Sequence, residues 1–312
     1  MTEQSPDIWH NGRIVPWDEA RLHVSTQCVI KGINVFEGVR AYWDDETSDL
    51  LIFRLEDHLR RLEDVSMKLL HMELPAGFDL RQATVDVLRT NEFRENVHIR
   101  IVVYFGEGSD AAYLPGEIET GAFILPRARG SHPKHDNGIR CTVSPWRRLS
   151  DVVQPPRIKA GANYLNARIA AVDARKKGAD IPLMLNDHGE VAEAPNACVF
   201  IVRGGVPVTP PVTASILESV TRATLLELMA EQLGLQPVER PVGLSELYVA
   251  DEVFLCGTGV EILPVTDIDG YIIGDGEPGQ ITKAVMGAYD DLVYGRDAAG
   301  RAWLTSVYAE GA

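Results

Sequence analysis

The sequence predicts an α/β (α+β) protein of two domains, and three observations lead there. Runs rich in β-branched residues alternate with leucine-bearing stretches at helical spacing. A polar connector with two prolines and two glycines, residues 126–138, interrupts that alternation. The 312 residues, 45% hydrophobic and 24% charged, suffice for two ordinary domains with cores of their own. The expected organisation is a smaller N-terminal domain over residues 1–125, the linker 126–138, and a larger C-terminal domain over residues 139–312.

Ile8-Trp9-His10, the Asn11-Gly12 turn and Arg13-Ile14-Val15 read as a hairpin, because Asn-Gly tolerates the positive φ angles of a two-residue turn. Strands follow at 35–43 and 50–54, split by the polar stretch 44–49. Leu55, Leu59, Leu62, Leu69 and Leu70 recur at helical spacing, and Asp79 can cap a second helix. Residues 97–105 are rich in β-branched side chains and read as a buried strand, with another at 121–125. Beyond the linker, strands are expected at 139–144, 181–185, 198–202 and 253–256, and helices at 163–177, 220–233 and 281–292. No internal repeat or low-complexity tract is present.

Composition narrows the function classes. Acidic residues outnumber basic ones, 45 to 30, for a net charge of −15. That argues against nucleic acid or an anionic membrane as the main partner, although one local cationic pocket can still bind a small anion. No run of about eighteen apolar residues exists, so no membrane span is expected. The stretch 1–7 is acidic and polar, without the basic and apolar blocks of a secretion signal. Cys28, Cys141, Cys198 and Cys256 are dispersed with no CxxC pair, which suits reduced thiols in a cytoplasmic protein. The histidines show neither HxxxH nor HxH spacing, so no metal is expected.

Lysine is scarce: Lys31, Lys68, Lys134, Lys159, Lys176, Lys177 and Lys283. Lys159 stands out because it sits among small and apolar residues, between Pro155-Pro156 and a helix. An amine held there can lose its proton and attack an aldehyde. A half-buried lysine reaching solvent is the alternative, and the local sequence leaves it open. Thr221 opens a helix, where free N–H groups and a hydroxyl suit an anion, or it simply caps. Gly257-Thr258-Gly259 follows an apolar strand and can form a phosphate-holding nest or an ordinary tight turn. Arg60 and Arg61 point to different sides of a helix, so one can turn inward to a phosphate while the other meets solvent. Glu193, between small residues after a turn, is placed for pairing or is a surface carboxylate. Together these residues suit one ligand, an aromatic aldehyde with a phosphate and a basic ring nitrogen. Pyridoxal phosphate is that ligand.

Four blocks in order carry a resemblance: Val35-Phe36-Glu37-Gly38-Val39-Arg40; His58-Leu59-Arg60-Arg61-Leu62; Lys159-Ala160-Gly161-Ala162-Asn163-Tyr164-Leu165-Asn166; and Leu247-Tyr248-Val249-Ala250-Asp251-Glu252-Val253-Phe254. Over about residues 8–292 the chain resembles the fold-type IV pyridoxal-phosphate enzymes, most closely the branched-chain amino acid aminotransferases. The resemblance implies an N-terminal α/β domain and a C-terminal pseudo-barrel α/β domain carrying the cofactor lysine. It implies Lys159 as the residue that bonds the cofactor and moves the α-proton as general base. It implies Arg61, Val220, Thr221, Gly257 and Thr258 at the phosphate, Tyr164 at the ring oxygen and Glu193 at the ring nitrogen. Phe36, Gly38, Arg40, Arg100 and Gly259 line up with the substrate side. The substrates implied are an amino acid, branched-chain and L by preference, and a 2-keto acid such as 2-oxoglutarate. A homodimer or higher homo-oligomer and ping-pong kinetics are also implied.

The chain departs from that pattern at four places. Lys31 and His98 stand where tyrosines are usual, Cys198 replaces an asparagine near the cofactor, and Leu217-Glu218-Ser219-Val220-Thr221 replaces a common Pro-Gly. Lys31 and Arg100 would make the substrate wall more cationic. A D-amino acid or (R)-amine transaminase of the same fold is therefore the alternative. An aminodeoxychorismate lyase-like activity, or cofactor binding without turnover, is a further contrast.

Overall fold

The structure, a computed structural model, describes residues 7–109 and 111–309; the acidic stretch 1–6 lies outside them. Two compact units separate. The first comprises Met1–Gly130, Ile158–Ala162 and Leu292–Ala312, and the second Ser131–Arg157 and Asn163–Asp291.

In the first unit, Asn11 and Gly12 adopt φ of 47° and 90° and close the hairpin of β1 (Asp7–His10) and β2 (Arg13–Pro16). A short helix, α1 (Gln27–Lys31), ends on Gly32 in the left-handed conformation. β3 (Asn34–Asp44) and β4 (Asp49–Phe53) lead into α2 (Leu55–Arg61), which continues as a π-helical turn over Leu62–Met67. Leu55, Leu59 and Leu62 all reach the core, as their spacing predicts. α3 (Leu80–Asn91) starts where the Asp79 carboxylate accepts from the Gln82 N–H at 2.9 Å. The long strands β5 (Val97–Gly108) and β6 (Ile118–Ala128) complete an antiparallel sheet ordered β4-β3-β5-β6-β1-β2.

Period two divides this sheet into two faces. Val35, Glu37, Val39 and Ala41 of β3, with Val97, Ile99, Ile101 and Val103 of β5, are all 0% exposed and face the core. Phe36, Gly38 and Arg40 lie on the other face, opposite Val102, Arg100 and His98. β4 joins β3 only from Ala41 onward. Residues 158–162 fill the edge that β4 leaves open. Phe36 N–H donates to the Lys159 carbonyl at 2.9 Å, Gly161 N–H donates to the Asn34 carbonyl at 3.1 Å, and Ala160 bridges Val35. Ile158 and Ala160 enter the core, which turns Lys159 to the Phe36 face.

The second unit begins with β7 (Ile139–Val143), α4 (Asn163–Lys176) and β8 (Ile181–Leu183). Then come β9 (Cys198–Arg203), β10 (Val206–Thr209), α5 (Val220–Glu231), β11 (Val238–Glu239) and α6 (Leu244–Tyr248). β12 (Glu252–Gly257), β13 (Glu261–Ile268), β14 (Tyr271–Ile272) and α7 (Gln280–Val293) follow. The sheet runs β11-β10-β9-β12-β13-β7-β8, with β14 beside β13. β9 and β12 are continuous apolar runs because both of their faces are buried. α4 buries Ala167, Ala170 and Ala174 and turns Leu165, Ile169 and Val172 outward. After α7 the chain returns to the first unit, where β15 (Leu304–Ser306) pairs with β4.

Two differences from the sequence boundaries have clear causes. Lys159 groups with the first unit, because its backbone completes the β3 edge, and β6 runs to Ala128 inside the expected linker. β13 carries no expected strand because Pro264 interrupts its pattern. The sheet tolerates that proline because its carbonyl faces Gly138, on the side where β7 begins only at Ile139.

Gly161 is required by close approach: a Cβ there would meet the Asn34 side chain at 2.6 Å. Gly161→Ala is expected to destabilise the protein by about 1–3 kcal/mol. Asn34→Ala in the same chain should recover most of that loss, read as urea midpoints.

Candidate functional site

The first unit gathers its chemistry around β3. Glu37 lies on the core face with no exposure. Arg61, the last residue of α2, grips it at two points, Nε to Oε1 at 2.8 Å and Nη2 to Oε2 at 2.6 Å. His58, one turn earlier, contacts Oε2 through Nδ1 at 2.7 Å. The expected split between neighbouring arginines is present: Arg60 is exposed and pairs with Asp57, while Arg61 is buried. Burial by itself would push the Glu37 carboxyl up. The Arg61 guanidinium and the His58 hydrogen bond outweigh it and hold the group at about 2. Burial pushes His58 down against the pull of Glu37, so His58 is neutral and its Nδ1–H donates to the carboxylate. Deleting one partner of such a buried pair typically costs about 3–5 kcal/mol.

Lys159 is tied at both ends of its backbone. Its N–H donates to the Ser66 hydroxyl at 3.1 Å, inside the π-helical turn, and its carbonyl accepts from Phe36. Its Nζ lies 5.1 Å from the centre of the Phe36 ring, and the Arg100 guanidinium lies 5.7 Å from the same ring. Along β3 and β5, Arg40 is level with His98 and Gly38 with Arg100. A Cβ at position 38 would meet His98 Nε2 at 3.1 Å, so glycine makes room for the imidazole. Burial, then the charges of Arg129, Arg100, Arg40 and Lys159, lower His98 to about 3. Arg40 is fully buried, and its guanidinium donates to the carbonyls of Arg129 and Gly130. Lys31 is exposed at the end of α1.

The second unit holds the other candidates. Glu193 is buried, with Arg148 Nη2 at 2.6 Å from Oε1 and the Leu217 N–H donating to Oε2 at 3.2 Å. Cys198 Sγ is 3.7 Å from the same Oε2. The capping alternative for Thr221 is resolved: Ser219 caps α5, accepting from the Arg222 N–H at 3.2 Å. Thr221 is the second helical residue, after Val220, and its buried hydroxyl lies 3.5 Å from that of Thr258. Thr258 and Gly259 occupy the turn after β12, where Val260 N–H donates to the Gly257 carbonyl. Tyr164 is half-buried at the start of α4.

Sequence reasoning missed Glu37 and His58 as partners of Arg61, and Arg148 as the partner of Glu193. The only sequence signal was the spacing of three between His58 and Arg61, which puts both on one helical face. Among the described residues no cluster of three or more His, Cys, Asp or Glu could hold a metal, and no helix is long and apolar enough to cross a membrane.

The donor set fits pyridoxal phosphate. Lys159 supplies an amine, and Arg61 a buried cation for a phosphate. Thr221 and Thr258 supply hydroxyls beside a helix N-terminus, and Glu193 a buried carboxylate for a ring N–H.

Comparison with known proteins agrees with that chemistry. Residues 34–268 match the family model for amino-transferase class IV. A probable branched-chain-amino-acid aminotransferase of Aquifex aeolicus is 38% identical over 298 residues, covering 95% of each chain. A branched-chain amino acid aminotransferase of Thermobaculum terrenum, solved in its PLP form, is 42% identical, with a TM-score of 0.90 over 98% of this chain and 100% of that one. The T.th. branched-chain amino acid aminotransferase, complexed with N-(5'-phosphopyridoxyl)-L-glutamate, is 32% identical, with a TM-score of 0.91 over 98% of this chain and 100% of that one.

His98 gives a pH-dependent expectation. The unfolded chain binds a proton at this residue below 6.5 and the folded protein only near 3, so stability falls as pH drops through that window. His98→Gln should flatten the stability profile between those values, measured by denaturant titration at stepped pH. An unchanged slope would show that the imidazole is protonated in the native state.

Proposed function

The chain belongs to the class IV aminotransferases, and on that premise we propose that it moves an amino group between a branched-chain L-amino acid and a 2-keto acid such as 2-oxoglutarate. The enzyme is a pyridoxal-phosphate-dependent transaminase. One observation carries the site assignment: Lys159, in a family whose cofactor is bound covalently, has its backbone fixed at both N–H and carbonyl. The relatives named for branched-chain amino acids support the donor, and the phosphopyridoxyl-L-glutamate complex of the T.th. enzyme supports glutamate and its keto acid as the second pair.

Bound pyridoxal phosphate supplies the electron sink that lets an amino acid lose its α-proton. Lys159 Nζ would hold the cofactor's aldehyde, and as general base it would accept the α-proton and return it. Arg61, Thr221, Thr258 and the first N–H groups of α5, from Val220 on, would hold the phosphate. Glu193, paired with Arg148, would keep the ring nitrogen protonated, and Tyr164 would donate to the ring oxygen. Phe36, Gly38, His98 and Arg100 form the wall that meets the substrate, with Gly259 shaping the turn at its carboxylate and Gly257 beside Thr258 on the phosphate side. Arg40 flanks that wall on the same face, its guanidinium held by the carbonyls of Arg129 and Gly130. The enzyme works in the cytoplasm as a homodimer, and the outward Leu165, Ile169 and Val172 of α4 support a covered surface.

Incubation with pyridoxal phosphate should give a visible absorbance band that disappears on adding an amino donor. Borohydride should fix the cofactor on the peptide containing Lys159, and Lys159→Ala should stay colourless. Labelling of another peptide would overturn the assignment. A panel of L-amino acids, D-amino acids and (R)-phenylethylamine, read by the same band, tests the donor; response to L-leucine with none to the D or (R) compounds is expected. Lys31→Tyr on the same panel tests its place on the substrate wall, and an unchanged panel would make Lys31 a bystander at the exposed end of α1. A shifted preference would place Lys31 at the substrate.

A further inference from the structure

We infer that Glu37 and His58 are positioning residues that fix the Arg61 guanidinium for the cofactor's phosphate. The inference rests on the transaminase reading above and extends it to residues that touch neither cofactor nor substrate. A planar guanidinium held at Nε and Nη2 by one carboxylate cannot rotate about its own axis. The carboxylate cannot swing either, because His58 Nδ1–H holds the oxygen that also receives Nη2. All three side chains are buried.

Its position argues for more than stability. A buried ion pair is weak evidence of stabilisation, since apolar residues of similar volume often serve a core as well or better. Glu37 sits next to Phe36 on β3, and the Phe36 N–H holds the Lys159 carbonyl. The helical stretch that supplies His58 and Arg61 runs directly into the turn whose Ser66 hydroxyl holds the Lys159 N–H. The phosphate-binding cation and the amine-bearing lysine are therefore referenced to the same strand and the same helical stretch. The bracket of Glu37, His58 and Arg61 fixes the spacing between the two points at which the cofactor is held.

The test separates the phosphate's share of binding from the rest. Full-length apoprotein is titrated with pyridoxal phosphate and with pyridoxal, which keeps the aldehyde and ring but lacks the phosphate. The ratio of the two Kd values isolates the phosphate contribution. Arg61→Ala should collapse that ratio, and Glu37→Gln should lower it by about tenfold or more while pyridoxal affinity holds, the loss expected when a hydrogen bond to a charged group is misaligned. In the Arg61→Ala background, Glu37→Gln should add nothing. Glu37→Asp keeps the buried charge but is one methylene short for the two-point grip, so it serves if Glu37→Gln does not fold; its ratio should also fall. His58→Asn should give a smaller drop.

A wild-type ratio in the folded Glu37 variants overturns the inference, as does equal weakening of both ligands, which is what a purely structural role produces. If Arg61→Ala itself leaves the ratio unchanged, the assignment of Arg61 to the phosphate fails instead, and the two failures are told apart.

Discussion

A carboxylate sealed beneath the main sheet of the first unit, Glu37, dictates much of what surrounds it. An ionised carboxylate without water is costly unless charge and hydrogen bonds compensate it. Arg61 and His58 provide both, and each must come from the same face of α2. That requirement fixes how α2 docks on β3. The docking in turn delivers the π-helical turn whose Ser66 meets the Lys159 backbone. Widened helical turns are often found at functional sites, and here the widening follows directly the residue that binds the buried acid.

The second unit solves a similar problem with different parts. Glu193 is also buried, and its counter-ion, Arg148, comes from the irregular stretch after β7 rather than from a helix. The Leu217 N–H supplies the neutral donor, and the Cys198 thiol lies 3.7 Å from the same oxygen. A thiol is a weaker donor than an amide N–H. Glu193 therefore leans more heavily on Arg148 and the Leu217 backbone than on Cys198.

The sequence revealed elements where one physical signal dominates. The Asn-Gly hairpin, the Asp79 cap and the leucine spacing of α2 each depend on a few adjacent residues, and each is present. β13 was hidden because Pro264 violates the rule for a central strand, and only the late start of β7 makes it tolerable. The domain boundary misled for a related reason: residues 158–162 look like a loop before a helix, but their partner strand lies more than a hundred residues earlier. The family pattern marks Lys159, Arg61 and Glu193 as candidates. Arg148 and the partners of Arg61 were not legible as such, because an ion pair between distant residues leaves no local trace. Arg40, which the resemblance aligns with the substrate side, places its guanidinium on two backbone carbonyls, contacts that no local sequence signal announces.

The alternation along β3 has an evolutionary consequence. Odd positions carry Glu37, which holds Arg61, and even positions carry Phe36, Gly38 and Arg40 with His98 and Arg100 across from them. A sheet one backbone thick lies between the two sets. Replacements on the even side can reshape the surface around Lys159 while the odd side keeps its buried ion pair. A single inserted residue would exchange the two sets at a stroke. Diversification of this enzyme should therefore proceed by swapping side chains within an unvarying strand length, never by changing that length.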